Sequence, residues 1–525
     1  MDSAGPNPYD ELAYVGRAYA ETHPDRLATV GTLYGLTPAP VDRCRVLEIG
    51  CGDAANLLPL AYTLPGSEFL GIDLAAQPIE RGRQQAAGIG LRNVRLEAMN
   101  ILDFPTDAGT FDYVIAHGVY SWTPPVVRDA VLGICGRHLA PQGIAFVSFN
   151  ALPGYHLREM ERRMMLYHVG RVGEGTKEQR TRQALSLLRF LSDAQPDDNP
   201  YKQILDGASE SLGKRVGTAA GVAWFHHDIL AEFNQPFYLH EFVENAGAHG
   251  MQFLSEATFR LAKSAQYPPA VAATLEQLGG DVVTQEQYMD FISCAPFRRA
   301  LLCRSEARLD RSLDPARVDG LYVRGDLQPV EGEDAGHGPE RFKSPDGEIN
   351  LNHPLAKAAV RLLGQAWPHG YAVADLLAAA RAAGGAGGSA GELGQLLVTL
   401  YGGGMVELST RPPVSTLQVS ERPEVSALVR WQIEQSPVIT TLRHANGALE
   451  GAYIRRLVRL LDGTRDRAAL LDELRRWLGS GEAAQECARC VDGDGKAEVA
   501  PDAEQLEETL EESLRQLARL ELLVR

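Results

Sequence analysis

Residues 46 to 54 read Val-Leu-Glu-Ile-Gly-Cys-Gly-Asp-Ala, and a helical pattern follows in Leu57, Leu58, Leu60 and Ala61. The order specifies a buried strand, a turn of small residues and a helix N-terminus. Glycine lets the backbone approach a ligand closely, and the first turn of a helix presents N–H groups without intrahelical partners. In open α/β sheets such a turn lies at the carboxyl end of a strand, where nucleotide-like ligands bind.

The details select among ligands. Residues 50 to 54, G-C-G-D-A, lack a third glycine and lack the lysine and Ser/Thr of a phosphate-binding P-loop. Glu48 precedes the first glycine, where a dinucleotide site usually has an apolar residue. The next apolar run, Phe69-Leu70-Gly71-Ile72-Asp73, ends in an acid able to accept both hydroxyls of a ribose. Turn, Glu48 and Asp73 together point to a class I S-adenosylmethionine pocket. Met99-Asn100-Ile101-Leu102 falls after the third strand, where the adenine belongs: Asn100 for the base edge, Met99 or Ile101 for its face. The cofactor candidates are Glu48, Gly50, Cys51, Gly52, Asn56, Asp73, Leu74, Asn100, Ile101 and His117. Cys51 is read as a small residue that fits the turn rather than as a nucleophile.

Two further loops reach the same rim and supply the acceptor candidates His117, Tyr120, Trp122, Asn150 and Tyr155. His117 either accepts a proton from an acceptor amine or lines the pocket. Tyr120, Trp122 and Tyr155 either wall a methylated ammonium by cation–π contact or pack in the core. Asn150 has a carbonyl oxygen suited to orienting an amine.

These residues need a sheet to place them. Strands are expected at 45–49, 69–73, 93–98, 111–117 and 143–149 with helices between, an alternation that makes a parallel sheet with right-handed crossovers. Two more strands are found late, at Met251-Gln252-Phe253-Leu254 and Arg299-Ala300-Leu301-Leu302-Cys303. The helical stretches 156–230 and 257–295 then become insertions. Beyond residue 311 a strand–helix–helix–helix–strand order occurs twice. The expected fold is thus a Rossmann-like α/β sheet with helical insertions, followed by two winged-helix-like α+β modules. The expected boundaries are 1–44 for an N-terminal helical lid, 45–155 for the cofactor core, and 156–310 for the insertions with the last strands. The modules take 311–415 and 416–525.

At 525 residues several cores are required. A formal charge of −17 argues against a nucleic-acid partner and suits a basic one. No apolar run is long enough to span a bilayer. Seven scattered cysteines make no disulfide framework, so a reduced cytoplasmic protein is expected. No metal is expected. Cys487-Ala488-Arg489-Cys490 lacks a second ligand pair, and Asp492-Gly493-Asp494-Gly495 is too short for a calcium loop. His226-His227-Asp228, as neighbours on a helix, do not face one ligand.

A resemblance adds the acceptor. His117-Gly118-Val119-Tyr120-Ser121-Trp122, Ser148-Phe149-Asn150-Ala151-Leu152-Pro153-Gly154-Tyr155 and Asn7-Pro8-Tyr9-Asp10-Glu11 resemble bacterial methyltransferases that carry a methyltransferase regulatory domain. The rickettsial protein lysine methyltransferases are among them. The likeness continues in His227-Asp228-Ile229-Leu230, Asn234-Gln235-Pro236-Phe237-Tyr238, Glu241-Phe242 and Phe297-Arg298-Arg299-Ala300-Leu301-Leu302, and is looser beyond about residue 310. It implies a lysine-bearing protein or peptide substrate and a homodimer. Residue spacing by itself gives only methyl transfer, with a small-molecule or peptide N/O-methyltransferase and a non-enzymatic cofactor-binding regulator as alternatives.

Overall fold

The computed structural model describes residues 16–173, 175–259, 267–330, 338–385, 387–489 and 505–524. The Asn7–Glu11 motif, Cys490 and residues 492–495 lie outside the described residues.

Seven strands form the central sheet: β1 (Arg45–Ile49), β2 (Glu68–Asp73), β3 (Val94–Ala98), β4 (Phe111–Ala116), β5 (Leu139–Asn150), β6 (Met251–Glu256) and β7 (Phe297–Arg304). Their spatial order is β3-β2-β1-β4-β5-β7-β6. The first five run parallel, and β7 is antiparallel to both β5 and β6. The chain steps outward from β1 to β3 and then returns to β4 on the other side. The crevice beyond β1 and β4 is therefore the switch point at which such sheets bind ligands.

Both faces are covered, which is why the strands read as continuous apolar runs. On one face Val46 packs with Leu57, Leu58 and Leu60 of the helix that follows the glycine turn. On the other, Leu47 and Ile49 join Val114, Leu132 and Val147. Helices Tyr155–Val172, Lys177–Asp193 and Pro200–Arg215 enclose a separate core around Met165, Leu188, Leu205 and Phe225. Helices Pro269–Leu278 and Val282–Ser293 belong to the segment that connects β6 to β7 along the chain.

Downstream, β8 (Tyr322–Arg324) pairs antiparallel with β12 (Tyr371–Ala372) and β13 (Glu407–Ser409), beside helices Pro354–Ala366, Val373–Ala382 and Ala390–Gly402. The core of this module is continuous with that of the sheet, since Leu27, Leu33, Val360 and Leu397 belong to one cluster. The last module has its own core, from Val429 and Leu457 to Leu514.

Two hairpins come in addition to the strands expected from sequence. β10 (Glu340–Ser344) and β11 (Gly347–Leu351) enclose the two-residue loop Pro345-Asp346, with β9 (Gln328–Pro329) alongside. The Pro-Asp-Gly run is a turn signal that marks this hairpin. The second, β14 (Val438–Thr440) with β15 (Asn446–Ala448), has strands of three residues, too short for a period to show.

Candidate functional site

The turn after β1 is built as its sequence requires. Gly50 has φ 71° and Gly52 φ 56°, and both donate their backbone N–H to β2: Gly50 to the Ile72 carbonyl (2.8 Å), Gly52 to Asp73 Oδ2 (2.9 Å). A Cβ on Gly50 would lie 2.5 Å from Val119 Cγ2, whereas one on Gly52 would meet nothing within 4 Å. The turn thus packs on the β4 loop on one side and opens into space on the other. Asp73 Oδ1 also accepts from the Ala75 N–H at 2.8 Å, which fixes the carboxylate against the turn.

Glu48 is buried. Its Oε1 accepts from Asn56 Nδ2 at 2.7 Å, and Asn56 Oδ1 accepts from the Tyr19 N–H at 2.8 Å. Burial pushes the Glu48 carboxyl up to about 8, so it is largely protonated at neutral pH. Farther along the rim, Leu74 is 64% exposed and Ile101 half-buried, while Asn100 Oδ1 caps its own turn by accepting from the Leu102 N–H (3.0 Å). Cys51 is buried, and burial raises its thiol well above the ordinary range.

The β4 loop is tied to β5, with the Gly118 N–H donating to Ser148 Oγ at 2.9 Å. His117 lies face to face with Tyr19, ring centroids 3.8 Å apart and 21° between planes, with Phe146 and Phe297 near its other sides. Burial, reinforced by Arg299 and Arg17, lowers His117 to about 3, which keeps the imidazole neutral. Trp122 is half-buried, its ring centroid 6.5 Å from that of Phe297.

At the end of β5, Asn150 Nδ2 donates to Asn234 Oδ1 (2.8 Å), and Asn234 Nδ2 donates to the Asp228 carbonyl (3.0 Å). The Tyr155 hydroxyl also meets the Asn234 side chain, and burial moves that phenol up to about 12. Burial raises the Asp228 carboxyl to about 7, against the pull of Arg215 and Arg17.

Tyr120 is not in this group. It is 2% exposed and packs against Phe237 and Phe242, and Asn245 Nδ2 donates to its hydroxyl (3.4 Å). Of the two readings of Tyr120, core packing is the one the structure shows, because the ring lies among Phe149, Phe237 and Phe242. The expectation that it walls the acceptor is corrected accordingly.

Tyr19, Asn234 and Asp228 enter the site without being among the candidate site residues of the sequence. Asn234 does lie in the Asn-Gln-Pro-Phe-Tyr run, and that run was the available signal. Asp228 sits on a π-helical turn, Phe225–Ile229, a conformation frequent at functional sites. Among the described residues no three His, Cys, Asp or Glu side chains are grouped to hold a metal ion.

A cofactor of nucleoside type fits these residues. The glycine turn leaves open space beyond Gly52, the acid Asp73 closes β2, and an apolar edge at Leu74 and Ile101 stands beside them. Residues 47–145 match the methyltransferase domain model, 223–304 the predicted methyltransferase regulatory domain, and 421–522 the PKMT C-terminal winged helix domain. Sheet, turn and these matches define an S-adenosylmethionine-dependent methyltransferase.

The chain is 38% identical over 239 residues to the Rickettsia prowazekii protein RP028, covering 45% of this chain and 93% of that one. It is 29% identical over 490 residues to RP789 of the same organism, covering 91% and 87%. Its structure is similar to that of PKMT2 from Rickettsia typhi in complex with AdoHcy, with TM-score 0.82, 26% identity and coverage of 98% and 100%. The chain belongs to the family of bacterial methyltransferases with a methyltransferase regulatory domain that includes these rickettsial proteins.

Proposed function

We propose that the chain methylates lysine side chains of a protein substrate. The observation that carries this reading is the cluster Asn150–Asn234–Tyr155 with Asp228, on the same rim as the His117–Tyr19 ring pair and the glycine turn. It agrees with the resemblance to the rickettsial protein lysine methyltransferases and with the similarity to PKMT2.

Glu48, Gly50, Cys51, Gly52 and Asn56 cradle the cofactor. Asp73 holds its ribose, and Leu74, Asn100 and Ile101 take the adenine. When bound, S-adenosylmethionine supplies an electrophilic methyl carbon on a sulfonium. The rest is alignment and exclusion of water, tasks for the stacked His117 and Tyr19 rings and for Trp122. A lysine ammonium with an ordinary pKa of about 10.4 must first lose a proton. A desolvating pocket favours that loss. Asn150 and Tyr155 orient the amine, and Asp228, poised near neutrality, takes the proton.

The proposal includes a cytoplasmic homodimer joined through the helical insertion. Light scattering at twice the mass of the chain supports it, and the mass of one chain removes it. Among the described residues no helix is long and apolar enough to cross a membrane.

Incubating the chain with lysate and methyl-tritiated S-adenosylmethionine tests the acceptor. Label in protein bands that amino-acid analysis places on lysine is expected. Label confined to the organic extract overturns the protein acceptor in favour of a small molecule.

A further inference from the structure

The last module does not stand apart from the cofactor turn. The loop between β14 and β15, residues 441–445, places His444 in the interior at 1% exposure. Its backbone has φ 62°, a conformation uncommon for any residue but glycine. Such outliers persist where surrounding structure holds them, and they concentrate at functional sites.

The turn itself holds this backbone, with the His444 N–H donating to the Thr441 carbonyl (2.9 Å) and the Thr441 N–H to the Ala445 carbonyl (2.8 Å), and Asn56 holds the ring. His444 Nε2 lies 2.9 Å from Asn56 Oδ1. The orientation of the Asn56 amide is fixed independently, because its Nδ2 donates to Glu48 Oε1 and its Oδ1 accepts from the Tyr19 N–H. Oδ1 is an acceptor only, so His444 Nε2 must carry the proton and donate. Two residues on, Asn446 grips both backbone groups of Ala18. Its Oδ1 accepts from the Ala18 N–H (3.1 Å), and its Nδ2 donates to the Ala18 carbonyl (2.7 Å). The next residue is Tyr19, whose ring covers His117 at 3.8 Å.

One loop of the winged-helix module therefore touches both halves of the site. Through His444 it reaches the Asn56–Glu48 pair under the glycine turn, and through Asn446 it reaches the strap that carries Tyr19. The module is anchored elsewhere as well. The Ala427 N–H donates to the Tyr62 hydroxyl at 3.1 Å, and the Trp431 indole lies so close to Gly88 that a Cβ there would be 2.7 Å from Nε1.

We infer that His444 and Asn446 are positioning residues for methyl transfer, setting the Asn56–Glu48 pair and the Tyr19 strap so that the cofactor site is complete only with the C-terminal module docked. The inference rests on the reading of Glu48, Asn56 and Asp73 as cofactor residues. Its consequence is reciprocal. A loop that favours cofactor binding must itself be stabilised when cofactor binds.

Two measurements on the full chain test it. Calorimetry with S-adenosylhomocysteine is expected to show Kd raised about tenfold by His444→Leu, the scale of one lost hydrogen bond in a buried network. His444→Gln keeps an amide donor and is expected to recover most of the affinity. Wild-type affinity in both variants, while Asp73→Ala abolishes binding, overturns the inference alone. Wild-type affinity in Asp73→Ala overturns the cofactor reading beneath it. The second measurement needs no variant and decides the matter if His444→Leu does not fold. Hydrogen exchange of wild-type peptides spanning 441–446 is expected to slow several-fold on adding S-adenosylhomocysteine. Unchanged exchange there overturns the coupling.

Discussion

Asn150 at the end of β5 donates to Asn234 Oδ1 at 2.8 Å, joining the last parallel strand of the sheet to a loop 84 positions later. The same Asn234 amide meets the Asp228 backbone and the Tyr155 hydroxyl. On the proposed reading, the acceptor side of the site is assembled from the sheet and the insertion, and the cofactor side from β1 and β2. Asn150→Ala or Asn234→Ala should lower kcat by about 10²-fold, the scale of a misplaced reactant. Cofactor affinity by calorimetry should stay within about twofold. A matched loss of affinity would place these residues on the cofactor side instead.

Asp73 is pinned by the Gly52 and Ala75 N–H groups and closes β2 beside the open side of the turn. Asp73→Asn keeps the shape and loses the charge. Hydrogen bonds to charged groups are worth about 1.5–3 kcal/mol, so Kd for S-adenosylmethionine should rise about 10- to 100-fold. Equilibrium binding at fixed ionic strength measures it.

Asp228 sits near 7 because burial outweighs Arg215 and Arg17. In the proposed role it takes a proton only when ionised, so kcat/KM for the acceptor should rise with pH through about 7. In Asp228→Asn that inflection should vanish, leaving the slope set by the amine. The rate should fall about 10²- to 10⁴-fold. A pH–rate profile that keeps the inflection assigns it to another group.

The Glu48 carboxyl is raised from 4.5 to about 8 by burial. Between those values the folded chain holds a proton that the unfolded chain has released. Stability from this group is therefore complete below the unfolded pKa and is lost as pH rises to about 8. Urea unfolding of the ligand-free chain at pH 5, 6.5 and 8 should show Glu48→Gln with a flatter pH dependence than wild type. Parallel curves would show that Glu48 ionises freely.

Arg298 of β7 is 2% exposed and meets Asp290 (2.8 Å, itself 0% exposed), Glu286 (2.7 Å) and Glu256 (3.3 Å). It clamps the helix Val282–Ser293 to the sheet. Arg298→Met should cost about 3–5 kcal/mol, because Asp290 is left buried without its cation. The midpoint of thermal unfolding should drop by several degrees. Asp290→Asn in the same background should restore part of the loss, since it removes the stranded charge.

The sequence by itself determined the sheet strands, the glycine turn and the acid closing β2, because each is written in neighbouring residues. An apolar run makes a strand, small residues make a turn, and alternation with helices makes the first five strands parallel, while the order β3-β2-β1-β4-β5-β7-β6 came from the structure. Even β6 and β7, far down the chain, were legible as apolar runs. Tertiary structure alone decided which side chains share a space. Tyr120 and Trp122 are two positions apart, yet one is buried in the core and the other borders the rim. Tyr19, Asn234 and His444 come to the site from three distant segments. Their meeting depends on how the insertion and the C-terminal module pack on the sheet, and contacts at separations of 84 and 388 residues leave no local period to read.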